Sequence, residues 1–270
     1  MALTDFQNGI LRLLADNRRK NVGSYVAGGL ALNHALSMPR TSRDIDIFHD
    51  SEEALYKSWL MDRKTLEGAG YCVGTKRELR TFIAADISKD GEHPEIQWGV
   101  DSAYRFFPLD ADATVGYTLH PIDLAASKLT TLVGHADPRD WIDVIVAMRN
   151  VQPMLYLLSA ACGKDPGFSP TSMLEYVARR RYTQVEIDAK ITPAGKCDAA
   201  ELNTFWREEI ERTRSSVMSF PRDKAGMCVL GVDGKPYTGD PSALADAMAR
   251  GEVVFHEGRI CGAWQRIVES

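Results

Sequence analysis

Apolar residues first recur at helical spacing over residues 5–19, where Phe6, Ile10, Leu13 and Leu14 share a face behind Thr4 or Asp5 as N-cap. After the polar break Asn21-Val22-Gly23, the run Ser24-Tyr25-Val26-Ala27 is short, apolar and suited to a strand. Gly28-Gly29 ends that run, and Leu30 to Leu36 reads as a helix. A loop containing Pro39 leads into Asp44-Ile45-Asp46-Ile47-Phe48, which alternates polar and apolar as a half-buried strand does. Both aspartates then point to one face. Helical spacing returns over 53–67 through Leu55, Trp59, Leu60 and Leu66, and strand-like pieces follow at 71–75, 80–87 and 95–100, with Lys89-Asp90-Gly91-Glu92 as a hairpin turn.

Two further helices are expected at 121–134 and 138–148, opened by His120-Pro121 and Asp137-Pro138, because proline suits the first helical turn. Beyond residue 150 the pattern becomes mainly helical, near 153–162, 170–181 and 199–218. Hairpins are expected around Val232-Asp233-Gly234-Lys235 and around Glu257-Gly258-Arg259. The fold class is therefore α+β, a small mixed β-sheet with flanking helices over 1–150, followed by a mainly helical part with short β-hairpins over 151–270.

Composition narrows this picture. A chain of 270 residues with 44% hydrophobic content can bury a sizeable core and carry a second unit. Its five cysteines, Cys72, Cys162, Cys197, Cys228 and Cys261, form no C-x-x-C pair, so reduced, buried thiols are expected and not a zinc site or a disulfide framework. With no leader-like start and no apolar run long enough to span a bilayer, a cytoplasmic protein without a membrane partner is expected. The formal net charge of -5 argues against a bulk nucleic-acid binder, although Arg18-Arg19-Lys20 and Arg179-Arg180-Arg181 are local basic runs.

The candidate chemistry lies in the first half. Asp44 and Asp46, on one strand face, are a carboxylate pair able to anchor Mg²⁺, which commonly takes one or two protein carboxylates and completes its shell with water and phosphate oxygens. Gly28-Gly29 lets backbone N–H groups approach a phosphate with no Cβ in the way, and the helix that follows offers its positive end. His49, just past the aspartate strand, is expected at a turn or surface rather than in the pocket.

In the order strand, Gly-Gly, helix, Arg40-x-Ser42-x-Asp44-x-Asp46, these residues resemble the nucleotidyltransferase superfamily typified by DNA polymerase β. Asp123-Leu124-Ala125-Ala126-Ser127-Lys128-Leu129 and Pro138-Arg139-Asp140-Trp141-Ile142-Asp143 narrow the resemblance to the AbiEii/AbiGii toxin family, over roughly residues 24–148. The resemblance implies that Gly28, Gly29, Arg40, Ser42, Lys128 and Arg139 bind the nucleotide, that Asp44 and Asp46 hold the metal, and that Asp140 completes the catalytic set. One departure stands out. Polymerase-like members carry a third carboxylate on a neighbouring strand, where Gln97 stands here; Glu95 shares its face, whereas Asp101 lies beyond on the other.

The expected activity is Mg²⁺-dependent transfer of a nucleotide from a nucleoside triphosphate to RNA, such as a tRNA end, or to a protein hydroxyl. The resemblance adds a toxin role checked by a cognate antitoxin. A catalytically lapsed nucleotide-binding module and an antitoxin-binding subunit are the alternatives left open.

Overall fold

The computed structural model describes residues 4–21, 23–36, 44–191 and 197–262. They divide into two compact units, one drawn from Met1–His120 with Arg259–Ser270 and the other from Pro121–Gly258.

The first unit contains α1 (Asp5–Lys20), β1 (Ser24–Val26), α2 (Gly28–Ala35), β2 (Ile45–His49), α3 (Glu52–Gly68), β3 (Cys72–Leu79), β4 (Phe82–Ser88), β5 (Glu95–Val100), β6 (Tyr104–Arg105), β7 (Asp110–Asp112) and β8 (Gly116–Thr118). Thr4 starts α1 by a capping box: its hydroxyl accepts from the Gln7 backbone N–H, and the Gln7 side chain accepts from that of Thr4, at 3.1 Å each. The seven-stranded sheet runs β3-β4-β5-β2-β1-β8-β7 and is mixed. β2 lies antiparallel to β1 and parallel to β5, which gives the aspartate strand a central place.

Ile45 and Ile47 of β2 are fully buried, as the alternation requires, and α1 and α3 contribute Ile10, Leu11, Leu14, Leu55, Trp59 and Leu66 to the core. Each such side chain, taken out of water, is worth about 1.5–3 kcal/mol. The rings of Trp59 and Trp98 meet edge to face at 4.9 Å, and the buried Asp62 carboxylate accepts from Trp98 Nε1 and Asn17 Nδ2 at 2.9 Å, tying β5 and α1 to α3. Burial raises the Asp62 carboxyl above its ordinary range. It likewise draws the fully buried Arg18 down to about 10, against the pull of Asp62.

The second unit contains α4 (Pro121–Gly134), α5 (Pro138–Asn150), α6 (Met154–Lys164), α7 (Pro170–Val177), α8 (Gln184–Asp188), α9 (Ala199–Val217), β9 (Met227–Gly231), α10 (Leu244–Ala249) and β10 (Val253–Glu257). α6 is buried from Met154 to Cys162 and forms its centre. Among the described residues no single helix is long and apolar enough to cross a membrane; α5 and α6 would be so only as a pair bent by 120°, and their apolar residues are the buried core of this unit.

Several expectations change. Packing parts the chain at residue 120, not 150, because α4 and α5 cover α6 and α9; the motif reading had kept Lys128 and Asp140 with the strand aspartates. The turn at 231–234 does reverse the chain, with the Gly231 N–H donating to the Lys235 carbonyl at 2.9 Å, the Tyr237 N–H to that of Val229 at 3.1 Å, and Leu230 bridging antiparallel to Pro236, while β10 pairs with β9 only after α10. Glu257-Gly258-Arg259 forms no hairpin, since β11 (Arg259–Ile260) pairs with β6 in the first unit. The helix expected over 170–181 stops at Val177, so Arg179, Arg180 and Arg181 follow it. Of the cysteines, Cys162 and Cys228 are buried, as expected, while Cys72 and Cys261 are exposed.

Candidate functional site

In the first unit the glycine turn and the aspartate strand lie against each other. β1 pairs with β2 through Val26 and Ile47, and the Ala27 N–H donates to the Asp46 carbonyl at 3.3 Å, so the chain turns into α2 beside Asp46. Gly28 holds a φ of +70°, and a Cβ added there would lie 2.5 Å from Asp46 Oδ2. Glycine is required twice at this position, by backbone conformation and by the carboxylate packed on it. Gly29 is buried in the first turn of α2, whose N-terminus has no side-chain cap. Its backbone donors and the positive end of its dipole suit an anion.

Asp44, at the bend before β2, and Asp46, on the strand, are both half-buried and share the face opposite Ile45 and Ile47. In the parallel ladder Asp46 stands directly across from Gln97, in the place of the third carboxylate. Glu95 shares that face, but both its oxygens are engaged: Oε1 accepts from Gln97 Nε2 at 2.6 Å and Oε2 from Lys76 Nζ at 2.9 Å. Lys76, with Gln97, holds the Glu95 carboxyl below its ordinary range. Asp101 lies past the strand and accepts from the Ser102 N–H at 2.7 Å. Among the described residues no three carboxylate, histidine or cysteine side chains are gathered to hold a metal. Asp44 and Asp46 nevertheless fit Mg²⁺ as a pair, since phosphate oxygens and water supply the rest of its shell. Arg40 and Ser42 lie outside the described residues.

His49 is neither at a turn nor at the surface. It is fully buried on the other face of β2, with Nε2 3.2 Å from Ser24 Oγ and Nδ1 3.1 Å from the Gly99 carbonyl. Burial pushes the imidazole down to about 4, so it packs as a neutral core residue.

In the second unit α4 carries Lys128 and α5 carries Asp140 and Asp143, three apart and therefore on one helix face. Lys128 Nζ donates to Asp140 Oδ1 at 2.7 Å and lies 3.1 Å from Asp143 Oδ2. Burial by itself lowers the Lys128 ammonium's affinity for its proton, but the Asp143 and Asp140 carboxylates outweigh it and hold the group above its ordinary value. The structure thus brings Lys128 and Asp140 into contact with each other. Asp143 joins them, its spacing of three from Asp140 being the sequence signal for it. Arg139 instead pairs with Asp137, the N-cap of its own helix, at 3.2 Å. Arg180 donates to the carbonyls of Leu132 and Val133 at 3.0 Å, satisfying the end of α4; Arg179 and Arg181 are exposed.

No known protein family and no curated protein matches the sequence. The AbiEii/AbiGii resemblance thus rests on the motif residues alone. Among solved structures, MenT4, a nucleotidyltransferase toxin from Mycobacterium tuberculosis, is similar at a TM-score of 0.58 over 81% of this chain and 83% of its own, with 14% identity. JHP933 from Helicobacter pylori is similar at 0.50 over 80% of this chain and 95% of its own, also with 14% identity. This chain shares its fold with MenT4. Within that fold, β1, the Gly28-Gly29 turn, α2 and β2 bring Gly28 and Asp46 together.

Proposed function

We propose that this chain is a Mg²⁺-dependent nucleotidyltransferase, acting as the toxin of a toxin–antitoxin or phage-defence pair, that moves a nucleotide from a nucleoside triphosphate to an RNA acceptor such as a tRNA end. The observation that carries the reading is the Asp46 carboxylate packed on the Gly28 turn at the uncapped start of α2, with Asp44 on the same strand face. Asp44 and Asp46 would hold Mg²⁺, which neutralises charge on the triphosphate and on departing pyrophosphate. The N–H groups at Gly28 and Gly29 bind phosphate oxygens. Lys128 is assigned to the triphosphate as a point charge, and Asp140 to the proton of the incoming hydroxyl. The likeness to a nucleotidyltransferase named as a toxin supports the toxin role and, with it, a cognate antitoxin.

A second reading, a nucleotide-binding module that no longer turns over, is favoured by Gln97 across from Asp46 and by the engagement of Glu95 with Lys76. One experiment separates the two and also identifies the acceptor. Each α-labelled triphosphate is incubated with the protein, Mg²⁺ and either total cellular RNA or protein extract. Label in RNA that disappears with Asp44→Ala is the expected result. Label in protein bands alone reassigns the acceptor to a protein hydroxyl; nucleotide binding with no label transfer in either mixture establishes the lapsed module.

A further inference from the structure

The sheet face that carries the aspartates also sets how many metal ions they can serve. We propose that Gln97, held in place by Glu95, restricts this site to a single divalent cation; the proposal rests on the reading of Asp44 and Asp46 as metal carboxylates given above. In the ladder Asp46 stands across from Gln97 on β5, and Gln97 in turn stands across from Ala84 on β4. Neighbouring strands lie about 4.8 Å apart, so a carboxylate at position 97 would reach a cation beside Asp46. The row offers an amide and then a methyl group instead.

Two divalent cations working on one displacement stand about 3.5–4 Å apart and repel each other strongly, and anionic oxygens between them offset that repulsion. The Gln97 amide oxygen can coordinate a cation but brings no charge. Its nitrogen is committed, because Nε2 donates to Glu95 Oε1 at 2.6 Å. Glu95, the other carboxylate on this face of β5, is committed as well. Its Oε2 takes Lys76 Nζ at 2.9 Å, and the same ammonium pairs at 2.7 Å with Asp86, which stands across the ladder from Glu95. Turning Glu95 onto a cation would break this ion pair and leave the Gln97 N–H without its acceptor. The network therefore keeps Glu95 within the sheet, and Asp44 and Asp46 are the carboxylates left for metal.

The test counts cations directly. Full-length wild type, Gln97→Glu and Asp44→Ala/Asp46→Ala are each titrated with Mn²⁺ at a saturating concentration of the α,β-methylene analogue of each nucleoside triphosphate in turn. Equilibrium dialysis gives the Mn²⁺ and nucleotide bound per chain, and electron paramagnetic resonance reports whether two Mn²⁺ lie close enough to couple. Wild type is expected to bind one Mn²⁺ per bound nucleotide, with an uncoupled spectrum. Gln97→Glu is expected to bind two and to show a coupled pair. Two coupled Mn²⁺ per nucleotide in wild type overturn the proposal, as does a folded Gln97→Glu protein that still binds one. If Gln97→Glu does not fold, Gln97→Asp is counted in its place against the same two outcomes. A second Mn²⁺ in wild type that disappears with the two aspartates sinks this proposal alone. A double aspartate variant that binds Mn²⁺ and nucleotide as wild type does, or a wild type that binds neither, sinks the metal reading beneath it.

Discussion

Gly28 is the position where a single methyl group has the largest local effect. At φ +70° with Asp46 Oδ2 2.5 Å from the added Cβ, Gly28→Ala carries left-handed backbone strain of about 1–2 kcal/mol and also pushes on the proposed metal carboxylate. Turnover is expected to fall about tenfold or more, beyond any change in Tm. Gly9→Ala is the contrast: nothing lies within 4 Å of its Cβ, so this helical change should raise stability by about 0.5–1 kcal/mol and leave turnover alone. His49 sets a pH dependence. Its folded value, about 4, lies below the unfolded 6.5, so the folded state binds the proton less readily. Its contribution, about 3 kcal/mol, is fully present above the unfolded value and is lost as pH falls toward the folded one. Denaturant titrations of wild type and His49→Gln from neutral pH down to about 4 should show the steeper loss in wild type; parallel curves would contradict this account. Asp44 and Asp46 were legible from strand alternation. The burial of His49 was not, because a histidine after a strand is placed by partners distant in sequence, here Ser24 and Gly99.

At the scale of elements, α4 and α5 are joined by charge as well as by apolar packing, and their ends explain the arginine run. Arg180 satisfies carbonyls at the end of α4, so Arg180→Ala should cost about 1.5–3 kcal/mol of stability, measured as a lower Tm, whatever the salt concentration. Arg179→Ala with Arg181→Ala should leave Tm in place, because both side chains are exposed. If these two contact an RNA backbone, as the proposed acceptor requires, the double variant also weakens RNA binding and flattens its dependence on salt. An unchanged salt slope would remove them from the acceptor surface. Most helices could be read from the chain, since Pro121, Pro138 and Pro170 open first turns and the apolar spacing is regular. β7 and β8 went unread at three residues each, too short for alternation to register. The partner of β11 was also hidden, because pairing with β6 spans some 150 residues of sequence and local turn chemistry favours a hairpin.

At the scale of the whole molecule, the chain leaves its first unit after His120 and returns at Arg259, so the second unit is an insertion. The motif reading drew one core through residue 150 because family motifs follow shared function, whereas compact units follow shared packing. The central claim of the proposed function is that Asp44 and Asp46 hold a metal on which nucleotidyl transfer depends, and the most direct test is a Mg²⁺ titration of pyrophosphate release by wild type and by Asp44→Ala/Asp46→Ala, with Tm recorded for each without metal. Wild type is expected to be inactive in chelator and to saturate with Mg²⁺. The double variant is expected to stay inactive at every Mg²⁺ concentration while still melting cooperatively as a folded protein. Turnover by the double variant at the wild-type rate, or wild-type turnover undiminished in chelator, would contradict the account.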